Sequence, residues 1–382
     1  MAVSKCIEEQ GGGVSVIDTY SVSITPLKAL AELKKEWLDL ENRSNGSFFL
    51  SWSWIGAWIS TFNPDCYVLK VHQNQHLVAL ALLTRSQSSQ WNRFPSSRIH
   101  IHQKGDSASD QIWTEYNGLL VSDNHRIPAI SATMSYLQTS FPDWDELVIG
   151  AITKEEAGLL ESVSGLSRYD LWHSAVFGVD LQKVAGLEFG YLARLSKNTR
   201  YQIRRSLKLY KERTGDIQLL PAQDVSEALA YLEEIAPFHL ARWGQEIGES
   251  GFANPGFVKF HQTLIKESWD NQQIDFIKIL SGDRVLGYFY NFLYRGTVYF
   301  YLSGLCAETD SKLKPGLSGH SLCIQSYADK GFKYYDFMGG DDRYKASLGI
   351  KQGELYQISL QRDRLKFKIE NVLRKIKQSL TG

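Results

Sequence analysis

The chain has 382 residues, 43% hydrophobic and 22% charged, a composition that suits folded domains and excludes overall disorder. Lys+Arg and Asp+Glu each number 42, so the formal net charge is zero and no global attraction to nucleic acid or an anionic membrane follows. The length predicts two domains; Cys6, Cys66, Cys306 and Cys323 lack metal or redox spacing, and no apolar run approaches the ~20 residues of a membrane-spanning helix, so the sequence predicts a cytoplasmic protein.

Residues 1–15 read as a polar, Gly-rich tail. A β-like run at 14–24 leads to a helix over 27–41, with Leu27, Leu30, Leu33, Trp37 and Leu40 at helical spacing. A second helix carries Trp54, Trp58 and Phe62. Strands are predicted at 66–72 and 77–84, with Asn74-Gln75 as the turn, and again at 98–102, 146–149 and 169–181. Helices are predicted near 128–139 and 154–162. The second half repeats the order: a strand at 217–220, helices at 225–236 and 255–269, and strands at 274–280, 285–294 and 297–305 with turns at Gly282-Asp283 and Arg295-Gly296. A helix at 317–330 and strands at 333–338 and 354–360 complete it. The order β-α-α-β-β-β-α-β-β thus occurs twice, joined by a helix at 197–213. This predicts an α/β (α+β) protein of two tandem domains, 16–185 and 186–361, each a mixed, mostly antiparallel sheet flanked by helices. A basic amphipathic helix follows at 362–382, for which packing on the parent domain and peripheral membrane contact both stay open.

Four segments carry candidate chemistry. Strand 297–305 runs through a polar loop into Lys314-Pro315-Gly316-Leu317-Ser318-Gly319-His320, where a helix begins. Unpaired N–H groups at such a helix start suit an anion, the glycines permit close approach of a phosphate, and Ser318 is placed to cap the helix. Downstream, alternation sets Tyr335 and Phe337 on one strand face and Asp336 on the other; Gly339-Gly340 ends the strand ahead of Tyr344 and Lys345. The joining helix places Arg200, Arg204, Lys208 and Lys211 on one face with Arg205 beside it, opposite Ile203, Leu207 and Tyr210. Read as a binding surface rather than a solvated face, those arginines lie at the domain junction facing a cleft. His239, Arg242 and Trp243 follow Pro237, which predicts a helix end there. No His/Cys/carboxylate group has metal-site spacing, and no nucleophile elbow or Walker loop is present.

The segment Ser47-Phe48-Phe49-Leu50-Ser51-Trp52-Ser53-Trp54-Ile55-Gly56-Ala57-Trp58 resembles the N-terminal signature of the CelD-like (cellulose-biosynthesis-associated) GNAT acetyltransferases. Leu195 to Arg205, His239 to Trp243, Lys314 to Gly316, and Asp336 through Gly340 to Lys345 resemble the same family, in the same order. The family is similar to the Fem-type aminoacyltransferases, which also pair two GNAT-like domains. The resemblance implies two GNAT-like domains, with no permanently bound cofactor and acyl-CoA (acetyl-CoA) as co-substrate. Its phosphates would lie at Lys314, Gly316, Leu317, Ser318, Gly319 and His320. It implies direct transfer to an amine or hydroxyl of a small-molecule or saccharide acceptor in envelope or exopolysaccharide metabolism. Asp336, then His239, are the candidate bases and Lys345 the charge stabiliser; Arg200, Arg204, Arg205, Arg242 and Tyr344 are candidate substrate contacts. Lys314-Pro315-Gly316 departs from the Arg/Gln that precedes the glycines of the common GNAT phosphate loop. A non-catalytic binding protein and an aminoacyl-tRNA-dependent transferase stay open as alternatives; only the latter would engage nucleic acid.

Overall fold

A computed structural model describes residues 19–88, 95–141, 143–188 and 190–369. The tail at 1–15 and most of the C-terminal segment lie outside these.

The first half runs β1 (Tyr20–Pro26), α1 (Leu30–Asn42), α2 (Trp52–Phe62), β2 (Cys66–Gln73), β3 (His76–Ser88), β4 (Ser96–Ile101), β5 (Leu120–Val121), α3 (Arg126–Thr139), β6 (Glu146–Thr153), α4 (Lys154–Ser164) and β7 (Ser167–Asp180). After α5 (Lys197–Arg213) the second half follows: β8 (Ile217–Pro221), α6 (Val225–Trp243), α7 (Pro255–Ser268), β9 (Ile274–Ser281), β10 (Arg284–Tyr294), β11 (Thr297–Leu305), α8 (Pro315–Asp329), β12 (Tyr334–Gly339), α9 (Arg343–Leu348) and β13 (Ile350–Gln361). Local chemistry sets many of these boundaries. Ser51, Ser196, Asp224 and Asn254 cap α2, α5, α6 and α7 by accepting from first-turn N–H groups. Both hairpin turns Asn74-Gln75 and Arg295-Gly296 have positive φ at each residue, which matches the right-handed twist of the strands they join.

All but β5 align in one sheet of order β1-β2-β3-β4-β6-β13-β7-β12-β11-β10-β9-β8. Read from either end, the order is the same under exchange of the halves. Its centre is an exchange of last strands. β7, from the first half, pairs antiparallel with β12 of the second, while β13 pairs antiparallel with β6 of the first. β7 and β13 then pair with each other, Ser167 to Gly178 against Gln361 to Ile350. A division of the chain at 185/186 follows chain order, whereas each last strand completes the other half's sheet.

The halves share a core. Phe48 stacks on Phe292 at 4.4 Å between ring centroids, and Trp54 packs edge-on to Phe260 at 4.7 Å. The aromatic segment 47–58 therefore builds this junction. Glu41, buried there, accepts from Tyr294 Oη at 2.8 Å and from Trp52 N at 2.7 Å. No helix among the described residues is long and apolar enough to cross a membrane. Of the basic C-terminal segment, residues 365–369 are helical; Leu365 is exposed and Phe367 buried.

Two sequence expectations are corrected. α6 does not end at Pro237 but runs on to Trp243. The carbonyl that Pro237 leaves unbonded belongs to Glu233, which is exposed, so water can satisfy it. Ser318 does not cap α8: Lys314 is the N-cap and Pro315 stands at N1, where its missing N–H costs nothing. Ser318 Oγ instead donates to Ser206 Oγ at 2.9 Å, tying α8 to α5.

Candidate active site

Each half contains one parallel strand pair, and each pair is short. β11 and β12 are in register only at Thr297/Tyr334, Val298/Tyr335 and Tyr299/Asp336. β4 and β6 are in register only at Arg98/Glu146, Ile99/Leu147 and His100/Val148. Beyond these residues the strands part, and a wedge opens. Both far strands kink there: Met338 has φ 60 and Ala151 φ 47. The parted backbones must find other hydrogen-bond partners or face a ligand.

The two wedges are filled differently. In the first half, buried Gln103 turns its side-chain oxygen to Gly150 N at 2.9 Å. Asn117 Nδ2 donates to Ile101 O at 2.8 Å. The chain thus closes its own first wedge. In the second half the wedge opens into a cleft of about 1020 Å³. Phe300, Leu302, Phe337 and Met338 give it apolar walls, and Phe238 and Trp243 of α6 flank it. The register of β10 against β11 slips at Tyr301, which lines the cleft and donates from Oη to Ile112 O at 2.7 Å.

One end of the cleft is the start of α8. Gly316 and Leu317, at N2 and N3, have N–H groups without a partner inside the helix, and Lys314 stands beside them. Lys314, Gly316, Leu317 and His320 line the cleft, whereas buried Ser318 and Gly319 are outside the lining; Gly319 packs towards Ile279 and Phe289. His320 stacks on Phe289 and on Tyr344, and its Nδ1 pairs with Tyr335 Oη at 3.1 Å. Burial lowers its pKa to about 3, with Lys345 adding to the effect, so its ring is neutral.

The other end is polar and buried. Lys345 Nζ donates to Gly339 O at 2.6 Å and Met338 O at 3.4 Å. Gly340, at φ 141, brings the turn so close that a Cβ would meet this Nζ at 2.5 Å. Burial lowers the lysine's pKa, against Glu115, Asp342, Asp336 and Asp341. Glu115 comes from the first half, in the loop between β4 and β5, and its Oε2 accepts from Gly339 N at 2.8 Å. Burial pushes its carboxyl up to about 7, against the Gly339 N–H and Lys345.

Of the candidate bases, His239 lines the cleft; its Nδ1 pairs with Ser250 Oγ at 2.8 Å. Burial, then Arg242, lower its pKa to about 4, which makes it a weak base. Asp336 is outside the cleft lining. It borders a smaller, 310 Å³ pocket, and both its oxygens are engaged: Oδ2 by Tyr116 Oη at 2.5 Å and Oδ1 by Met338 N at 2.7 Å. Burial raises its pKa to about 6. Cys306 lines the cleft, but burial and Glu308 push its thiol up to about 11, so it carries little nucleophilic thiolate.

Arg242 and Tyr344 line the cleft; Arg200, Arg204 and Arg205 do not. α5 packs on α8 and β8, both of the second half, through buried Ile203, Ser206 and Tyr210. Arg204 is exposed; Arg200 and Arg205 are half-buried, and Arg205 stacks on exposed Tyr201 at 5.2 Å with its Nε buried and unpartnered. The expectation that they face a cleft at the domain junction is corrected: none of the three lines it, and the apolar stripe that anchors the helix turns Arg204 to the opposite, outer face. Glu115 escaped sequence reading. Its only local signal is an acid set among Trp113, Tyr116 and Asn117 in a loop, and its burial depends on the other half.

Residues 197–346 match the acetyltransferase (GNAT) domain family. No curated protein matches the chain. Solved structures share its fold across both halves at low identity. The C-terminal domain of a putative lysylphosphatidylglycerol synthetase from Agrobacterium fabrum is 11% identical with a TM-score of 0.52, covering 92% of this chain and 96% of its own. L-PGS from Bacillus licheniformis is 11% identical with a TM-score of 0.52, covering 90% and 96%. A conserved protein of unknown function from Bacteroides thetaiotaomicron is 9% identical with a TM-score of 0.53, covering 89% and 100%. The half in which the wedge is open thus matches a GNAT acetyltransferase domain over residues 197–346, within a sheet whose two halves repeat one strand order.

Proposed function

We propose that the chain transfers an acyl group from acyl-CoA to an amine or hydroxyl by direct attack on the thioester. The observation that carries this reading is the open wedge between β11 and β12, which joins the free N–H groups of a helix start to buried Lys345 and Glu115, both bonded to Gly339. The donor's phosphates would meet Gly316, Leu317 and Lys314. Its extended arm would lie between the parted strands, and its thioester would reach Met338 and Gly339. Lys345 supplies positive charge where the thioester carbonyl becomes an oxyanion. The protonated Cys306 favours direct transfer over an acyl-enzyme.

The motifs at 47–58, 195–205 and 336–345 support kinship with the CelD-like transferases, and with it an envelope or exopolysaccharide acceptor in the cytoplasm. Arg242 and Tyr344, which line the cleft, would hold that acceptor.

Thermal unfolding with acetyl-CoA and longer acyl-CoAs tests the reading. A ligand at 100 times its dissociation constant adds about 2.7 kcal/mol of apparent stability. A clear rise in melting temperature is expected. Absence of any shift, with calorimetry also blank, would sink the acyl-CoA reading in favour of an aminoacyl-tRNA donor or a non-catalytic role.

A further inference from the structure

The acceptor must lose a proton as it attacks, and the group that takes it has to reach the reacting atoms. Asp336 is fully engaged on the far side of β12, and His239 is too weak a base at neutral pH. Three further carboxylates line the cleft. Glu308 is ion-paired with Arg284 at 3.0 Å and accepts from Tyr210 Oη, and Asp342 is exposed at the α9 start. The third, Glu115, is buried and belongs to the other half of the chain.

We propose that Glu115, carried by the first half into the open wedge of the second, is the general base of the transfer. Its position fits the role. Gly339 N, to which it is bonded, is the β12 amide next to Gly340, whose own N–H pairs with Ala175 O on β7. Successive strand amides point to opposite sides, so Gly339 N points into the wedge and the carboxylate sits there. The corresponding place in the first half is taken by Gln103 on Gly150 N. The fold thus fills both wedges with a side-chain oxygen on a strand amide. In the first it is a neutral amide supplied by the same half; in the second it is an acid supplied across the junction.

The groups around Glu115 keep it basic without keeping it ionised. Lys345 of α9 attracts the charged form, while Asp336 of β12 repels it; Tyr301 of β11 and Trp113 and Tyr116 of its own loop complete the surroundings. Burial outweighs these, and a carboxyl that titrates at about 7 is matched to proton transfer at neutral pH.

The step balances as follows. The acceptor nitrogen or oxygen bonds to the thioester carbonyl carbon, and its proton passes to a Glu115 oxygen. The C–S bond then breaks and coenzyme A leaves as a thiolate, which takes up that proton directly or through water. The enzyme ends the cycle unchanged.

The inference rests on the acyl-CoA reading, and its test separates the two. Wild type, Glu115→Gln and Glu115→Asp are compared by thiol release from acetyl-CoA with ethanolamine, which offers both an amine and a hydroxyl. Rates are followed from pH 5.5 to 9, and acetyl-CoA affinity is measured by calorimetry. Gln keeps an oxygen for Gly339 N–H, so the fold and donor affinity should hold. The expected result is a fall in kcat of at least about 100-fold in Glu115→Gln. The acidic limb expected near pH 7 in wild type should be absent from Glu115→Gln, and Glu115→Asp should recover part of both. Retention of a third of kcat in Glu115→Gln, or survival of that limb, overturns the role of Glu115 while leaving acyl transfer standing. A wild type that neither binds acetyl-CoA nor releases thiol removes the acyl-CoA reading itself, and Glu115's role with it.

Discussion

Replacing Lys345 with Met removes the cation that faces Glu115, Asp336, Asp341 and Asp342 while keeping the bulk of its stem. The cost should depend on pH. Without Lys345 the native pKa of Glu115 rises above its present value of about 7, while in the unfolded chain it stays at 4.5. Over that widened window the native variant holds more protons than the unfolded one, so its stability falls as pH rises, by up to about 1.4 kcal/mol per pH unit for one proton. At pH 5.5 the carboxyl is protonated in both proteins. There the loss is chiefly the bond from Nζ to Gly339 O, about 1 kcal/mol. At pH 8.5 Glu115 is ionised in wild type and has lost its facing cation in the variant, and the loss should exceed that at pH 5.5 by about 1.4 kcal/mol for each unit by which its pKa rises. Urea denaturation of both proteins at pH 5.5, 7 and 8.5 measures this directly. Turnover should fall by about 10²–10³ at saturating acetyl-CoA. A stability difference that is flat across these pH values would refute the idea that Lys345 balances buried carboxylates. Unchanged turnover would remove it from the chemistry.

Gly316→Glu places a carboxylate beside the α8 start, where a Cβ meets Leu305 Cδ1 at 3.1 Å; calorimetry should show acetyl-CoA affinity weakened at least tenfold, with little change in melting temperature. Arg204→Ala with Arg205→Ala should leave donor affinity and KM within about twofold, since both lie outside the cleft; a large rise in KM would return them to the site. Gln103→Ala strips the partner from buried Gly150 N–H and should lower stability in urea by about 1–3 kcal/mol without altering donor affinity. Buried His100, His102, His261 and His320 and half-buried His239, with pKa values lowered to about 3 or 4, stay neutral while the unfolded chain protonates below pH 6.5. Each therefore withdraws stability as pH falls from 6.5 towards 4, and circular dichroism should show cooperative acid unfolding in that window.

Periodicity and turn chemistry made most elements readable: the repeat of order, the Asn74-Gln75 and Arg295-Gly296 turns and the α5 cap at Ser196 are local properties of the chain. The exchange of β7 and β13 was not readable. Alternation tells which face of a strand is buried but not which strand lies beside it. At the site, the helix start at Lys314 to His320 and the turn before Lys345 carried local signals, glycines and a proline next to apolar strands. Ser318 was misassigned because the stronger signal, Pro315 at N1, sets the cap one residue earlier at Lys314. α5 held its own correction: Ile203 and Tyr210 on one face already place Arg204 on the other, and only the idea of a ligand had turned it inward. Glu115 had no such signal, because what makes it unusual is contributed by Gly339, Lys345 and Asp336, more than 200 residues away in sequence.

The asymmetry between the wedges explains what the first half contributes. A sheet that reads the same from both ends offers two equivalent places for a donor, yet the loop after β4 occupies both. Gln103 and Asn117 close the near one with neutral groups bonded to Gly150 N and Ile101 O, and fourteen backbone steps of the same loop carry Tyr116 and Glu115 to Asp336 and Gly339 in the far one. A neutral plug satisfies the parted strands and leaves no room; an acid held by one N–H satisfies the strand while keeping a charge that can be traded for a proton. The strand exchange makes the arrangement rigid, because β7 cannot leave β12, nor β13 leave β6, without breaking the sheet between the halves. A wedge floor assembled from both halves is then held to the tolerance that proton transfer over hydrogen-bond distance demands. The first half therefore serves the second as the wall and the acid of its cleft.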